Sequence, residues 1–214
     1  MMMSVMPFQV RHSSCIDYED ALMWMRHRVQ EIDQGEASEC LWLLEHPSIY
    51  TGGRGAKTSD LLQTHDIPVV HTDRGGQYTY HGPGQRIGYV MLNIRKRQSD
   101  IRHFVWGLEE WMILTLKACH IVGERRPGRI GIWIVNPITH QEQKIASIGV
   151  RVSKGITSHG IALNVNPNLD HFRGIIPCGL QGYGVTSLEQ LGCIKSMDEI
   201  DQILTYYFKN VFLS

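Results

Sequence analysis

Two residues carry the chemistry this sequence can offer. Lys144 stands at the head of an apolar, small-residue run, Ile145, Ala146, Ser147, Ile148, Gly149 and Val150, and further along Cys178 stands between Pro177 and Gly179. A lysine that loses water on burial gives up its proton more readily and can act as a base or share a proton with a thiol. The thiolate is the nucleophilic form of cysteine, and reactive cysteines sit partly exposed near positive groups, whereas structural ones prefer apolar surroundings. A thiol in a Pro–Gly loop fits the first description better than Cys15, Cys40, Cys119 or Cys193. Together, Lys144 and Cys178 would make a nucleophile and base that move an acyl group. The residues alone leave a plainer reading open for each. Period-two alternation turns Ile145 to the core and Lys144 to water, where strand lysines protect sheet edges, and Cys178 can be an ordinary loop cysteine.

A second candidate stretch lies upstream, where residues 73–85 read DRGGQYTYHGPGQ. Glycine lets the backbone take positive φ and approach a ligand closely. Residues 77–80 favour a strand, followed by a tight turn over 81–85. The stretch is either one wall of a site or a hairpin with a decorative loop. The glycine-rich run 50–55, YTGGRG, lacks the GxxxxGK[ST] phosphate-binding pattern and is expected to be a plain loop. None of the eleven histidines falls in HExxH or finger spacing, so no metal is expected.

The elements that must position these residues follow from periodicity. An edge strand is expected near 8–11, then a helix from Asp17, a candidate cap, to Gly35, with Ala21, Leu22, Met25, Val29 and Ile32 on one face. Residues 40–45 form a buried strand, 60–63 a turn of helix, and 67–70 and 88–94 further strands. The longest helical pattern covers 100–121 and is a core helix. Strands over 130–135 and 144–152 make a hairpin, another strand runs over 158–165, Thr186 or Ser187 caps a short helix, and a last helix covers 197–212 behind Ser196. The sum is one mixed α/β domain over residues 1–214, a sheet rich in hairpins with helices packed on it.

Composition narrows the function. Lys+Arg and Asp+Glu balance at 21 each among 214 residues, so no broad basic field for nucleic acid exists. With 43% apolar and 20% charged residues, the chain is ordinary for a globular protein. Five widely spaced cysteines without a CxxC pair, and a start lacking the basic and apolar regions of an export signal, point to a cytoplasmic protein with free thiols. No apolar run approaches the roughly 18 residues of a membrane span.

Four motifs carry a resemblance. RGGQYTYHGPGQ (74–85), KIASIGVRV (144–152), HGIALNVN (159–166) and PCGLQGYGVTSL (177–188) resemble, in order and spacing, the lipoyl(octanoyl) transferase family, over about residues 42–188. That resemblance implies an α/β fold of the biotin/lipoate protein ligase type and an acyl transfer that needs neither ATP nor another cofactor. The donor would be octanoyl-acyl carrier protein. The acceptors would be lysines on lipoyl domains of 2-oxoacid dehydrogenase E2 subunits and on the glycine cleavage H protein. It makes Cys178 the thioester nucleophile and Lys144 its partner. It makes Arg74, Gly75, Gly76, Gln77, Tyr78, Thr79, Tyr80 and His81, with Ser147, Ile148, Gly149, Gly160, Ile161 and Ala162, the walls of a substrate pocket. An ATP-dependent ligase of the same fold and a non-catalytic binder of lipoyl domains are the alternatives.

Overall fold

The computed structural model describes residues 7–64, 66–136, 139–176 and 183–213. In chain order its elements are β1 (Gln9–Cys15), α1 (Tyr18–Gln34), β2 (Cys40–Glu45), β3 (Ile49–Gly52), β4 (Val69–His71), β5 (Tyr78–His81), β6 (Gln85–Met91), α2 (Ile101–Ala118), β7 (Glu124–Arg126), β8 (Arg129–Val135), β9 (Glu142–Ser153), β10 (Ile156–Asn164), β11 (Gly184–Val185) and α3 (Met197–Phe212). The main sheet runs β1-β2-β6-β10-β9-β8-β7, and β11 also pairs with β9. A smaller sheet, β4-β3-β5, lies apart from it. Among the described residues only β1 with β2, β3 with β4, and β11 with β9 pair in parallel.

The apolar run of β2 shows why the main sheet is covered on both faces. Leu41 and Leu43 join the core under α2 and α3, while Cys40, Trp42 and Leu44 join a second core under α1. A strand buried on both sides has no polar face to show, so its sequence is almost continuously apolar. Fully burying each such leucine contributes about 1.5–3 kcal/mol. On the first face α2 and α3 lock together where Trp111 Nε1 donates to Leu204 O at 2.8 Å and its ring meets Phe208 edge-on.

The helix ends are local and follow the sequence. Ser196 and Glu199 form a reciprocal capping box on α3, and the Asp100 side chain accepts from His103 N at 2.8 Å at the start of α2. Gly35 closes α1 in the left-handed conformation, φ 78°. Asp17 sits at the start of α1 but makes no capping bond with its side chain. The expected short helix after Thr186 is a turn instead, in which Gln190 N donates to Ser187 Oγ at 3.2 Å.

Candidate active site

Lys144 is buried, at 6% exposure, which corrects the reading of it as a water-facing edge residue. It takes the face that alternation from Ile145 gives, but Trp133 covers it there, and a β-bulge sets that register. In β8 and β9, Ile132 pairs with Ala146 but Trp133 pairs with Lys144, so Ile145 is an extra residue in β9. Ile145 and Ala146 therefore both join the core under α2 and α3. Lys144 and Trp133 turn to the opposite face. A bulge re-aims side chains in this way because two residues on one strand oppose one on the other.

The lysine is held where it lands. Its Nζ donates to Ile130 O at 2.8 Å and lies 5.3 Å from the centre of the Trp133 ring. That distance allows a cation–π attraction. Gly131 makes the space: at φ 117°, a Cβ there would stand 2.5 Å from Lys144 Cε. The far edge of β9 matters as well. β10 last pairs with β9 at Ala146, and β11 takes over the edge, with Val185 opposite Lys144 and Thr186 N donating to Lys144 O at 3.0 Å. Tyr183, just before β11, packs edge-on against Trp133. Cys178 lies outside the described residues, whose neighbouring stretches stop at Ile176 and resume at Tyr183.

The other expected residues converge. All of them except Gly75 and Tyr80 line one cavity between β5, the loop before it, β6, β9 and β10. Gly75 faces a neighbouring groove, with its N–H on Val150 O. The Tyr80 side chain turns away into the core of the small sheet, beside Tyr50 and Phe172, and its hydroxyl meets Ser48 at 3.0 Å. Arg74 reaches the cavity, but its guanidinium donates to Thr51 O and Oγ1, Gly75 O and Gln77 O. It braces the glycine-rich loop. The YTGGRG loop completes this brace, since the N–H groups of Gly53, Arg54 and Gly55 all donate to carbonyls of residues 74–77. Those amides are spent, so the loop is no phosphate cradle. A Cβ on Gly53 would press on Gly76 O at 2.5 Å.

Tyr18, Tyr89 and His159 also line the cavity and were not singled out from sequence. His159 opens the HGIALNVN motif, so the signal was present. With φ 58° it holds a conformation uncommon for a residue with a side chain. Among the described residues no carboxylate lines the cavity. Its histidines are kept neutral by burial first, then by nearby positive groups, which bring His81 and His159 down to about 3. His46, beside them, falls to about 4 for the same first reason. His159 Nε2 lies 3.6 Å from Asp73, a separation that would be an ion pair if the ring were charged. The depth of burial and the three arginines Arg74, Arg151 and Arg26 argue that it is not.

Burial pushes the Cys40 thiol up to about 11 and the Cys119 thiol up to about 12, and raises Cys15 as well. These thiols stay protonated at neutral pH. Among the described residues no cluster of metal-ligating side chains occurs, and no helix is long and apolar enough to cross a membrane.

Comparison with known proteins follows this geometry. The family model of the lipoyl protein ligase A/B catalytic domain matches residues 17–209. The chain is 51% identical over 199 residues to an octanoyltransferase of Paramagnetospirillum magneticum, covering 93% of both chains. This chain belongs to the lipoyl(octanoyl) transferase family. It is thus a transferase. An octanoyltransferase of Parvibaculum lavamentivorans is 50% identical over 200 residues, covering 92% of this chain and 88% of the relative. Among solved structures, a lipoate-protein ligase A bound with ATP superposes with a TM-score of 0.77 at 15% identity, covering 97% of this chain and 86% of the ligase. Biotin protein ligase from Aquifex aeolicus gives 0.54 at 12% identity, covering 97% and 70%. These two likenesses carry the fold expected from the motifs.

Proposed function

We propose that this transferase moves an octanoyl group from octanoyl-acyl carrier protein to a lysine of a lipoyl domain, through a thioester on Cys178. The whole chain serves as one catalytic domain. The observation that carries this reading is the placement of Lys144: buried, turned out of the α2 core by a bulge, and hydrogen-bonded through its main chain to the segment that returns from Cys178. Close to an ammonium, a cysteine gives up its proton readily. The thiolate attacks the octanoyl carbonyl, forming the new C–S bond. The carrier thiol leaves and takes a proton from Lys144. The neutral Lys144 then removes a proton as the incoming amine attacks the acyl-enzyme, the C–S bond breaks, and an amide forms. A thioester is already activated, so no nucleotide is consumed. Backbone amides near Cys178 hold the oxyanion. Ile87, Ile148, Ile161 and Ala162 supply apolar wall for the acyl chain. The acceptors are the lipoyl domains of 2-oxoacid dehydrogenase E2 subunits and the glycine cleavage H protein, met in the cytoplasm. A bi-partite archaeal lipoate protein ligase of this fold was solved in a study with its E2 lipoyl domain.

Intact-mass measurement after incubation with octanoyl-acyl carrier protein, without ATP, tests the scheme. One octanoyl adduct is expected, mapping to Cys178 and absent in Cys178→Ser. An adduct on another cysteine, or transfer that begins only when ATP is added, would overturn it.

A further inference from the structure

Two buried amides link the cavity to the strand that carries Lys144, and their hydrogen bonds leave no choice of direction. The Thr186 carbonyl can only accept, so the side-chain nitrogen of Asn164, 3.0 Å away, must face it. The Asn164 oxygen then points at Gln85, whose nitrogen donates to it at 2.9 Å. That nitrogen also donates to the Tyr80 carbonyl at 3.2 Å, a second acceptor-only group that fixes the same orientation independently. The remaining Gln85 atom, Oε1, lies 2.7 Å from His81 Nδ1. An amide oxygen cannot donate, so Nδ1 carries the hydrogen. Gln85 and Asn164 are 1% and 5% exposed, which keeps water from offering alternatives.

In a neutral imidazole one nitrogen bears the proton and the other a lone pair. Burial keeps His81 neutral, so Nε2 is an acceptor. Among the described residues Nε2 takes no hydrogen bond, and the ring lines the cavity. The other imidazoles differ. Both nitrogens of His46 are used, by Ile16 O and Tyr89 OH, and Nε2 of His159 faces Asp73.

We propose that Gln85 and Asn164 are positioning residues that hold His81 as its Nδ1–H tautomer, leaving Nε2 to accept a hydrogen bond from the attacking amine. This rests on the acyl-transfer reading of the site. The amine must be uncharged to attack. A carboxylate would hold it as an ammonium, and among the described residues none lines the cavity. A neutral imidazole orients an N–H without that penalty. The chain also ends on Thr186, whose own N–H is bonded to Lys144 O, so one network sets both the acceptor and the lysine strand.

Two-bond proton–nitrogen correlation NMR on protein labelled with 15N-histidine reads the tautomer in the resting protein, with His81 assigned from the signal lost in His81→Gln. The expected pattern is a protonated Nδ1 and a bare Nε2. A protonated Nε2 would overturn the proposal, and this needs neither substrate nor a disruptive variant. In Gln85→Met the tautomers should mix. Discharge of the isolated octanoyl-enzyme by a lipoyl domain should then slow about tenfold, the size of one lost hydrogen bond, while loading from the carrier stays unchanged. Wild-type tautomer or wild-type discharge in that variant would refute the role. Absence of any acyl adduct on Cys178 would instead strike the transfer scheme and leave the tautomer result standing.

Discussion

Gly131→Ala tests whether the space around Lys144 matters to the reaction. The backbone at Gly131 has φ 117°, and an added methyl would stand 2.5 Å from Lys144 Cε, 2.6 Å from Ala146 O and 3.0 Å from Lys144 Nζ. The Ala146 oxygen is backbone and cannot yield cheaply, so that contact costs stability, while the lysine side chain must move aside. A positive φ costs an L-residue about 1–2 kcal/mol. Displacing a catalytic group by roughly 1 Å can cost on the order of 100-fold in rate. Gly128 provides the control within the same hairpin: its φ is 74°, and nothing lies within 4 Å of an added Cβ. Gly128→Ala should lose about 1–2 kcal/mol in urea unfolding, and Gly131→Ala more, because its methyl also meets the Ala146 carbonyl. Octanoyl transfer to a lipoyl domain at saturating donor should fall about 100-fold in Gly131→Ala alone. If the two variants kept equal activity, the claim that Gly131 exists to seat Lys144 would be wrong.

Lys144→Ala should fold and lose roughly 100- to 10,000-fold in turnover; near-normal transfer with a normal circular dichroism spectrum would remove Lys144 from the mechanism. Acid should destabilise the fold earlier than its carboxylates require. His46, at about 4, and His81 and His159, at about 3, start from 6.5 when unfolded. From pH 6.5 downward the unfolded chain therefore binds protons that the native state refuses, and stability falls by up to about 1.4 kcal/mol per pH unit for each. Urea midpoints measured from pH 7.5 to 4.5 should drop below 6.5, with a shallower fall in His159→Gln; a flat profile would contradict the neutral burial. Iodoacetamide should inactivate by modifying Cys178 and spare Cys40 and Cys119, whose thiols burial holds protonated; inactivation that tracks either of those two would count against the assignment.

Features set by a few neighbouring residues were legible in the sequence. The capping box of Ser196 and Glu199 is such a case, and α3 runs over the expected residues. So is the apolar face that buries α2. β11 was not legible, since two residues carry no periodicity and only their pairing with β9 makes them a strand. The burial of Lys144 was not legible either. Alternation from Ile145 gave its face correctly, but Trp133 covers that face, and the bulge that turns Ala146 into the same core as Ile145 exists only in the pairing of β9 with β8. The same limit applies to Tyr80, whose side chain is claimed by the small sheet. The wall built by residues 74–81 was readable because glycine, histidine and arginine crowded together are poor core composition, whereas residues 147–149 and 160–162 were named only by the resemblance of their motifs. Gln85 and Asn164 stood inside the quoted motifs, yet their connection runs across two strands.

The bulge at Ile145 also bears on how chains of this kind are compared. A protein whose β9 paired with β8 without the bulge, setting Lys144 opposite the core residue Ile134, would keep its lysine, its glycine-rich loops and its sheet. Every motif would still be present, letter for letter, in any inventory of residue types. Yet the ammonium would emerge among the leucines beneath α2, and the thiol would lose the partner proposed for it. Whether such a chain is an enzyme is decided by a one-residue step in how two strands pair, which the letters alone do not record.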